Sequence, residues 1–289
     1  MTRRFFGLTA AAAALSPAEN SSDLNLSLAA VTADAAPGAP VTLRATIETR
    51  KGDVSGVPDI SPESGNFELW LLNLSNGERT QYTGPGWNAS ESKPESHVIK
   101  ATEPLVKDLT VALPPGRYQF NLQYKGLGLD NPLYAQTSLT VHPPASAAET
   151  AWWQALQADP ALAESLQRLD FTGRDSAAKT AESLLQAHHH APQASAAGLG
   201  LGKLYLHGRK DPNKALQFLR VAVQLAADSG IRAQALLEAF DALTQSGATN
   251  EAASVLAQAA AEAKDSALVR EIRSRKPVKP SAPPPAPWK

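Results

Sequence analysis

Cysteine is absent from this sequence, and methionine occurs only once. Without cysteine the chain can form no disulfide, no thiolate metal site, no cysteine nucleophile and no lipid-modified N-terminal cysteine. The formal net charge is −1, so the chain as a whole has no electrostatic attraction for nucleic acid, and we predict no nucleic-acid partner. Long apolar runs are also missing. None approaches the roughly 20 residues that a transmembrane helix needs, and we predict no transmembrane span.

Linear signatures of catalysis are absent as well. The sequence contains neither the G-x-S-x-G of a nucleophile elbow nor the H-E-x-x-H of a zinc hydrolase. His188, His189 and His190 are consecutive, so on a helix they point about 100° apart and cannot converge on one metal ion. The glycine-rich segment 198–203 lies within a helical pattern, which favours close packing over phosphate binding. We therefore predict no catalytic residue, no metal and no cofactor. An enzyme whose groups assemble only in space is an alternative.

The residues that are present suffice for two domains. The chain has 289 residues, of which 43% are hydrophobic, a normal value for a globular protein. Its charge is unevenly placed, because the part from Arg270 onward carries six cations against one anion. The end of the chain, 273–289, is basic and rich in proline, and we predict a disordered tail there.

Residues 1–18 have the order of an export signal. Arg3 and Arg4 are followed by an apolar run over residues 5–15, and small residues end the segment. This start resembles the twin-arginine export motif, although the usual downstream lysine is missing. An ordinary secretory signal is the alternative. Either signal predicts a periplasmic or secreted protein.

The segment 19–142 predicts an all-β domain. Apolar residues alternate with polar ones in several stretches, which is the pattern of strands with one buried and one wet face. Turn residues separate these stretches, and no helical period intervenes. About seven or eight short strands over roughly 120 residues indicate an antiparallel sandwich. The alternating positions are Leu24, Leu26, Leu28, Val41, Leu43, Ala45, Ile47, Phe67, Leu69, Leu71, Leu109, Val111, Leu113, Tyr118, Phe120, Leu122, Tyr124, Leu133, Ala135, Thr137, Leu139 and Val141.

A tyrosine follows one of the predicted turns. Tyr118 comes directly after the stretch Leu113-Pro-Pro-Gly-Arg, near the start of a late strand. This arrangement resembles the tyrosine corner of immunoglobulin-like and fibronectin-like modules. The resemblance implies an immunoglobulin-like sandwich, a fold that serves as a spacer or as a binding unit and does not decide between them. There is no Cys-Trp-Cys core, so an antibody-type domain is not implied.

Residues 143–149 predict a linker, and residues 150–272 predict an all-α domain. The hydrophobic period changes from two to 3.6 across a stretch rich in Pro, Ala and Ser. We expect the linker to act as a hinge between independently folded units, although Trp152 and Trp153 could dock against the sandwich and stiffen it.

Helix starts and ends are marked by their usual residues. Asp-Pro pairs begin at Asp159 and Asp211, each offering a capping carboxylate followed by proline at the first helical position. Asp175 and Thr249 are expected to cap two further helices. Gly208, Gly230 and Gly247 are expected to lie at helix ends.

The helical segment contains a repeat with a period of 37 residues. Small and large apolar residues recur at spacing 0, 4, 7 from Ala215 and again from Ala252. With Leu201, Gly202 and Tyr205 upstream, the first set resembles a tetratricopeptide-like repeat, and the second set is a degenerate copy. The resemblance implies stacked helix pairs that form a groove for a protein or peptide. A helical bundle without repeats is the alternative.

Three aromatic residues are the candidate binding residues. Trp87 and Tyr82 lie in or beside a loop rich in Gly and Pro, where an exposed ring could anchor a sugar, a peptide or a protein. Tyr205, with Lys203 and Gln234, lies on the expected groove. A ring folded back onto the sandwich core is the alternative for Trp87.

Together these features predict a multidomain fold: an all-β immunoglobulin-like sandwich followed by an all-α tetratricopeptide-like domain. The function they favour is an exported, non-enzymatic interaction or scaffold protein of the bacterial envelope, which binds a protein or peptide. The alternative is a carbohydrate- or ligand-binding accessory module that works through the sandwich.

Overall fold

The computed structural model describes residues 23–58, 67–82, 96–125 and 132–275. These residues form a β-rich N-terminal half and a helical C-terminal half, as the change of hydrophobic period predicts. The predicted export signal and Trp87 lie outside the described residues, as does most of the predicted tail.

Ten strands build the described part of the β half. They form a three-stranded sheet in the order β1-β3-β8, a five-stranded sheet in the order β2-β10-β9-β5-β6 and a small sheet of β4 and β7. Every pair is antiparallel except β2 with β10. The strands are β1 (Leu24–Ala30), β2 (Asp34–Ala35), β3 (Val41–Thr49), β4 (Val54–Pro58), β5 (Phe67–Asn73), β6 (Arg79–Gln81), β7 (Ser96–Ile99), β8 (Leu105–Val111), β9 (Gly116–Tyr124) and β10 (Leu133–Val141).

The two larger sheets enclose one apolar core. The alternation read from the sequence sets which side chains enter it, because successive residues of a strand point to opposite faces. All the positions predicted to be apolar and inward are buried except Ala135 and Thr137 of β10, which are half-buried. Tyr118 is buried, and its hydroxyl donates a 2.9 Å hydrogen bond to the carbonyl of Pro114, the contact that a tyrosine corner makes.

Two turns of the β half depend on glycine. Gly38 has a φ of +69° and follows Pro37 in a turn closed by a hydrogen bond from the N–H of Ala39 to the carbonyl of Ala36. Gly77 has a φ of +74° in the turn between β5 and β6, whereas its neighbour Asn76 does not have a positive φ. The hairpin of β5 and β6 therefore has a longer turn than a two-residue one.

Eight α-helices and one π-helical turn make up the described part of the helical half. The turn, Leu204–Gly208, directly continues α4. The helices are α1 (Ala147–Ala158), α2 (Pro160–Arg168), α3 (Asp175–His188), α4 (Gln193–Lys203), α5 (Pro212–Leu225), α6 (Ser229–Gln245), α7 (Thr249–Glu262) and α8 (Ser266–Ser274). None of them is both long and apolar enough to cross a membrane.

The predicted helix N-caps are confirmed at the two Asp-Pro pairs. Asp159 and Asp211 accept hydrogen bonds from the first turns of α2 and α5. The predictions for Asp175 and Thr249 are wrong. Each is the first helical residue and makes no capping hydrogen bond, and Asp175 instead pairs with an arginine. The predicted helix end at Gly230 is also wrong, because this glycine lies in the first turn of α6.

Small residues let the paired helices approach closely. The two apolar sets that begin at Ala215 and Ala252 are buried on α5 and α7. A Cβ at Gly198 of α4 would lie 2.8 Å from the backbone carbonyl of Phe218, and one at Gly202 would lie 2.5 Å from Leu219. Gly198 and Gly202 thus permit α4 to pack against α5, in agreement with the prediction that this segment is helical.

Candidate binding clefts at the junction of the two halves

Two aspartates of the helical half connect it to the sandwich. Asp228 caps α6 through Oδ1, which accepts from Gly230 at 2.8 Å, while its Oδ2 accepts from the N–H of Thr42 in β3 at 2.8 Å. Asp265 repeats this arrangement. Its Oδ1 caps α8, and its Oδ2 accepts from the N–H of Asp108 in β8 at 2.8 Å. Both carboxylates are buried. Each therefore holds a helix start and a strand together.

An ion pair lies between these two contacts. Arg44 of β3 donates two hydrogen bonds to Asp108 of β8, of 2.7 and 2.8 Å, in the bidentate geometry that arginine favours. The hydrogen bond with Asp108 raises the pKa of Arg44. Burial raises the pKa of Asp108, and the bonds from Arg44 oppose that rise. One guanidinium thus lies among three carboxylates, those of Asp108, Asp228 and Asp265.

Further contacts extend the junction. Gln193 of α4 donates to the carbonyl of Pro37 at 2.9 Å, and Gln167 of α2 donates to the hydroxyl of Tyr82. A Cβ at Gly38 would lie 2.6 Å from Leu156 and 3.4 Å from Trp153, so α1 packs directly on this turn. The halves therefore meet through several hydrogen bonds and an apolar contact.

The predicted linker is ordered at its helical end. Ser146 caps α1 by accepting from the N–H of Glu149 at 3.1 Å, and Glu149 in turn accepts from the N–H of Ala145 at 2.9 Å. This arrangement is close to a capping box, which fixes the direction in which the chain enters a helix.

A cleft of about 610 Å³ opens between the two halves, and we call it the basic cleft. Among the residues that the structure describes, its wall carries five cations and a single anion, Glu103. Apolar side chains from β7, β8 and α8 form its floor, and one of them, Val98, is 58% exposed. The cations are Arg44, Lys100, Lys264, Arg270 and Arg273.

Two of these five cations have partners within the protein. Arg44 is bound to Asp108, and Arg273 lies 3.1 Å from Glu103 in an exposed pair. Lys100, Lys264 and Arg270 are exposed, and among the residues that the structure describes they have no ion-pair partner. The basic cleft thus offers at least three cations beside an apolar floor.

A second cleft, of about 350 Å³, lies on the other side of α8, and we call it the mixed cleft. Lys203 and Gln234 line it, as the groove prediction expected, and their side chains lie 3.5 Å apart. His207 and Glu238 approach to 2.6 Å on its wall. Burial raises the pKa of Asp241, and nearby Arg275 opposes the rise. Arg275 pairs with Asp241 and Glu271, so part of the charge in this cleft is already paired.

Tyr205, which is predicted as a ligand contact, is buried in the helical half. Its side chain is 5% exposed, and its hydroxyl donates to Glu182 at 2.7 Å while it accepts from Arg209 and Lys214 at 2.5 Å. Phe218 stacks on its ring at 5.4 Å. These surroundings favour a structural role, in which Tyr205 ties α3, the π-helical turn and α5 together.

The other aromatic residues named in the sequence predictions, Tyr82, Trp152 and Trp153, lie at different places in the structure. Tyr82 packs against the sandwich core and accepts the hydrogen bond from α2, and burial raises its pKa to about 12. Trp152 is buried in the helical core, where its Nε1 donates to the carbonyl of His188, and Trp153 reaches the sandwich at Gly38. Binding through Tyr82, Tyr205 and Trp87 stays a prediction.

The sequence patterns did not single out the residues that form the junction. Asp228 and Asp265 are 37 residues apart, the same period as the apolar repeat, and this coincidence was the available signal. Arg44 gave no signal, because its position beside two helix starts depends on how the halves pack. Among the described residues, no group of three or more His, Asp or Glu side chains is placed to hold a metal ion.

Comparisons with known proteins add little. No protein-family profile and no curated protein matches the chain. A family 123 glycoside hydrolase from Clostridium perfringens is 13% identical over 42% of this chain and 28% of its own, with a TM-score of 0.26. A sporulation control protein from Bacillus subtilis is 11% identical over 47% of this chain and 56% of its own, with a TM-score of 0.27. A multi-domain immunophilin from Arabidopsis thaliana is 11% identical over 75% and 93%, with a TM-score of 0.25.

The chain spans less than two thirds of the length of the first two of these structures. Similarities of this size give no indication of function.

Proposed function

We propose that this protein is an exported, non-enzymatic interaction protein that binds an acidic segment of a partner protein in the basic cleft. The observation that supports this proposal is a set of three exposed cations, Lys100, Lys264 and Arg270, which have no ion-pair partner among the described residues and lie beside an apolar floor. Charge of one sign beside exposed apolar surface suits a partner with acidic and aliphatic side chains, because both kinds of contact then form together.

Both halves contribute to the basic cleft. Lys100 and Val98 come from β7 and its end, whereas Lys264 and Arg270 come from the end of α7 and from α8. The cleft therefore exists only while the junction holds, which explains why a protein of this kind would fix its halves through buried carboxylates. We also propose that the β half is an immunoglobulin-like sandwich and that the helical half contains tetratricopeptide-like repeats.

Peptide display tests the partner chemistry. We expect random short peptides selected on the full-length protein to be enriched in Asp and Glu next to Leu, Ile or Val. Fluorescence anisotropy of a selected peptide then measures its affinity. The double reversal Lys100→Glu/Arg270→Glu should weaken binding roughly tenfold or more, and added salt should weaken binding to the unaltered protein.

The matched control is Lys179→Glu, which reverses an exposed charge on α3 far from the cleft in sequence. It should leave the affinity unchanged. A second variant, Val98→Asp, tests the apolar floor and should also weaken binding. Selection of basic peptides, or equal affinity for Lys100→Glu/Arg270→Glu and the control, would show that the basic cleft is not the binding site.

Export is tested separately. We expect cell fractionation to place the mature protein outside the cytoplasm and N-terminal sequencing to find a start after about residue 18. A cytoplasmic protein that keeps residues 1–18 would contradict export and leave the binding proposal standing.

A further inference from the structure

The outer face of the five-stranded sheet carries an unusual concentration of amide side chains. In β5 the residues between the buried ones point outward, and Trp70 is one of them. Trp70 pairs with Gln81 of β6 on one side and with Asn121 of β9 on the other, and Asn121 pairs with Gln136 of β10. These four residues form one row across four strands. Since neighbouring strands are about 4.8 Å apart, the row is about 14 Å long.

Two more amides flank this row on β9. Gln119 donates to Asn121 at 3.2 Å and to Gln136 at 3.1 Å. Gln123 donates to the hydroxyl of Tyr134 at 3.0 Å, and this tyrosine is 44% exposed. Five carboxamides and two aromatic rings thus share one face of the sheet, and we call these seven residues the amide face.

The ring of Trp70 is held in a fixed orientation. Its Nε1 donates to Glu68 at 3.2 Å, and the guanidinium of Arg79 lies 4.7 Å from its ring centroid. Glu68 is itself bound by Lys125 at 2.5 Å. Glu68 is thus paired with Lys125, Arg79 lies against the Trp70 ring, and the seven residues of the amide face carry no formal charge.

The chemistry of this face indicates its ligand. A carboxamide offers both a donor and an acceptor in one plane, so a grid of amides can bind neighbouring hydroxyl groups without attracting charge. An aromatic ring at the same level can pack on the apolar face of a sugar ring. An acidic protein segment or a nucleic acid would require cations within the amide face, whereas Arg79 and Lys125 lie beside it, against the ring of Trp70 and against Glu68. A hydrophobic partner would require aliphatic side chains.

We propose that the amide face binds a neutral, polyhydroxylated glycan, which lies across the strands along the row from Gln81 to Gln136. Trp70 and Tyr134 provide the stacking surface, and Asn121 and Gln136 provide hydrogen bonds to hydroxyl groups. This site is separate from the basic cleft, so the two can fail independently.

Affinity electrophoresis of the full-length protein tests this proposal. The gels contain one soluble neutral polysaccharide each: hydroxyethyl cellulose, xylan, mannan or pullulan. We expect at least one of them to retard the protein, and calorimetry with the matching oligosaccharide to give the affinity. The double variant Asn121→Ala/Gln136→Ala should lose roughly tenfold or more in affinity. Gln136 is exposed and Asn121 half-buried on the outer face, so their loss leaves the apolar core intact.

The matched control is Gln157→Ala, which removes an exposed amide from α1 in the helical half. It should bind as tightly as the unaltered protein, and so should Lys100→Glu/Arg270→Glu. Trp70→Ala should also lose binding, with circular dichroism showing whether its sheet is retained. Migration unaffected by all four polysaccharides, or undiminished binding by Asn121→Ala/Gln136→Ala, would overturn the proposal.

Discussion

At the scale of single residues, the two junction aspartates each combine two functions in one carboxylate. Asp228 uses one oxygen to cap α6 and the other to accept from β3, and it is buried. A helix cap contributes about 1 kcal/mol, and a hydrogen bond to a buried charged group contributes about 1.5–3 kcal/mol. The Asp228→Ala variant should therefore lose about 2–4 kcal/mol in its free energy of unfolding, as measured by urea titration.

Asp211→Ala is the matched control for this prediction. Asp211 caps α5 through the N–H of Lys214 and is exposed, so its loss should cost only about 1 kcal/mol. Equal losses for Asp228→Ala and Asp211→Ala would mean that the contact with β3 contributes nothing.

Tyr82 makes the stability of the protein sensitive to alkaline pH. Burial favours the neutral phenol and raises its pKa from 10.0 to about 12. Because the folded pKa lies above the unfolded one, this stabilisation is complete below pH 10 and is lost as the pH rises from 10 through 12. The full effect is at most about 2–3 kcal/mol.

The Tyr82→Phe variant removes this effect. We expect its free energy of unfolding to fall less steeply above pH 10 than that of the unaltered protein, with tyrosinate absorbance recording the ionisation. Tyr134→Phe, which removes a surface hydroxyl, is the control. Parallel pH profiles for Tyr82→Phe and the unaltered protein would refute the assignment.

At the scale of the elements, the contact between α4 and α5 depends on a missing side chain. A Cβ at Gly198 would lie 2.8 Å from the carbonyl of Phe218 and 3.1 Å from the N–H nitrogen of Ala222, both of them backbone atoms. Backbone atoms cannot rotate away from a new Cβ as the end of a long side chain can, so the two helices must move apart. Overpacking of this kind costs about 1–3 kcal/mol, more than the gain in helix propensity from glycine to alanine.

Gly198→Ala should therefore lower the midpoint of thermal unfolding, followed by circular dichroism at a helical wavelength. The control is Gly208→Ala at the end of the π-helical turn, where the nearest atom to a new Cβ is the tip of Leu204 at 3.3 Å. This control should have the smaller effect, and the reverse order would contradict the packing argument.

At the scale of the whole molecule, the two halves should behave as one unit. The sequence predicts a hinge at 143–149, but in the structure α2 and α4 donate hydrogen bonds to the sandwich, and the N-caps of α6 and α8 accept hydrogen bonds from it. We therefore expect protease to cut slowly near Ala145 in the intact protein. The double variant Asp228→Ala/Asp265→Ala should be cut there roughly tenfold faster or more, because two buried contacts of the junction are lost.

Asp211→Ala serves again as the control and should be cut at the rate of the unaltered protein. Rapid cleavage near Ala145 in the unaltered protein would support the hinge instead. Circular dichroism of the fragments 19–144 and 149–273 then tests whether each half folds alone. Independent folding would give a strand-type spectrum for the first fragment and a helical spectrum for the second.

The sequence by itself determined the local structure of this protein. The alternating positions of β3, β5 and β9 are buried because the period of a strand alone decides which side chains face the core. The Asp-Pro starts of α2 and α5 were readable because a cap and its proline act within one turn. The apolar repeat at 37 residues was readable for the same reason, since each set lies on one helix face.

The tertiary structure alone decided where a ligand could bind. Asp228 and Gly230 look like an ordinary turn in the sequence, and only the approach of β3 shows why a small residue follows the cap. The basic cleft combines β7 with α8, and the amide face combines β5, β6, β9 and β10, so each depends on strand order or on the packing of the halves. Contacts between residues far apart in the chain have no period, and therefore no local pattern in the sequence records them.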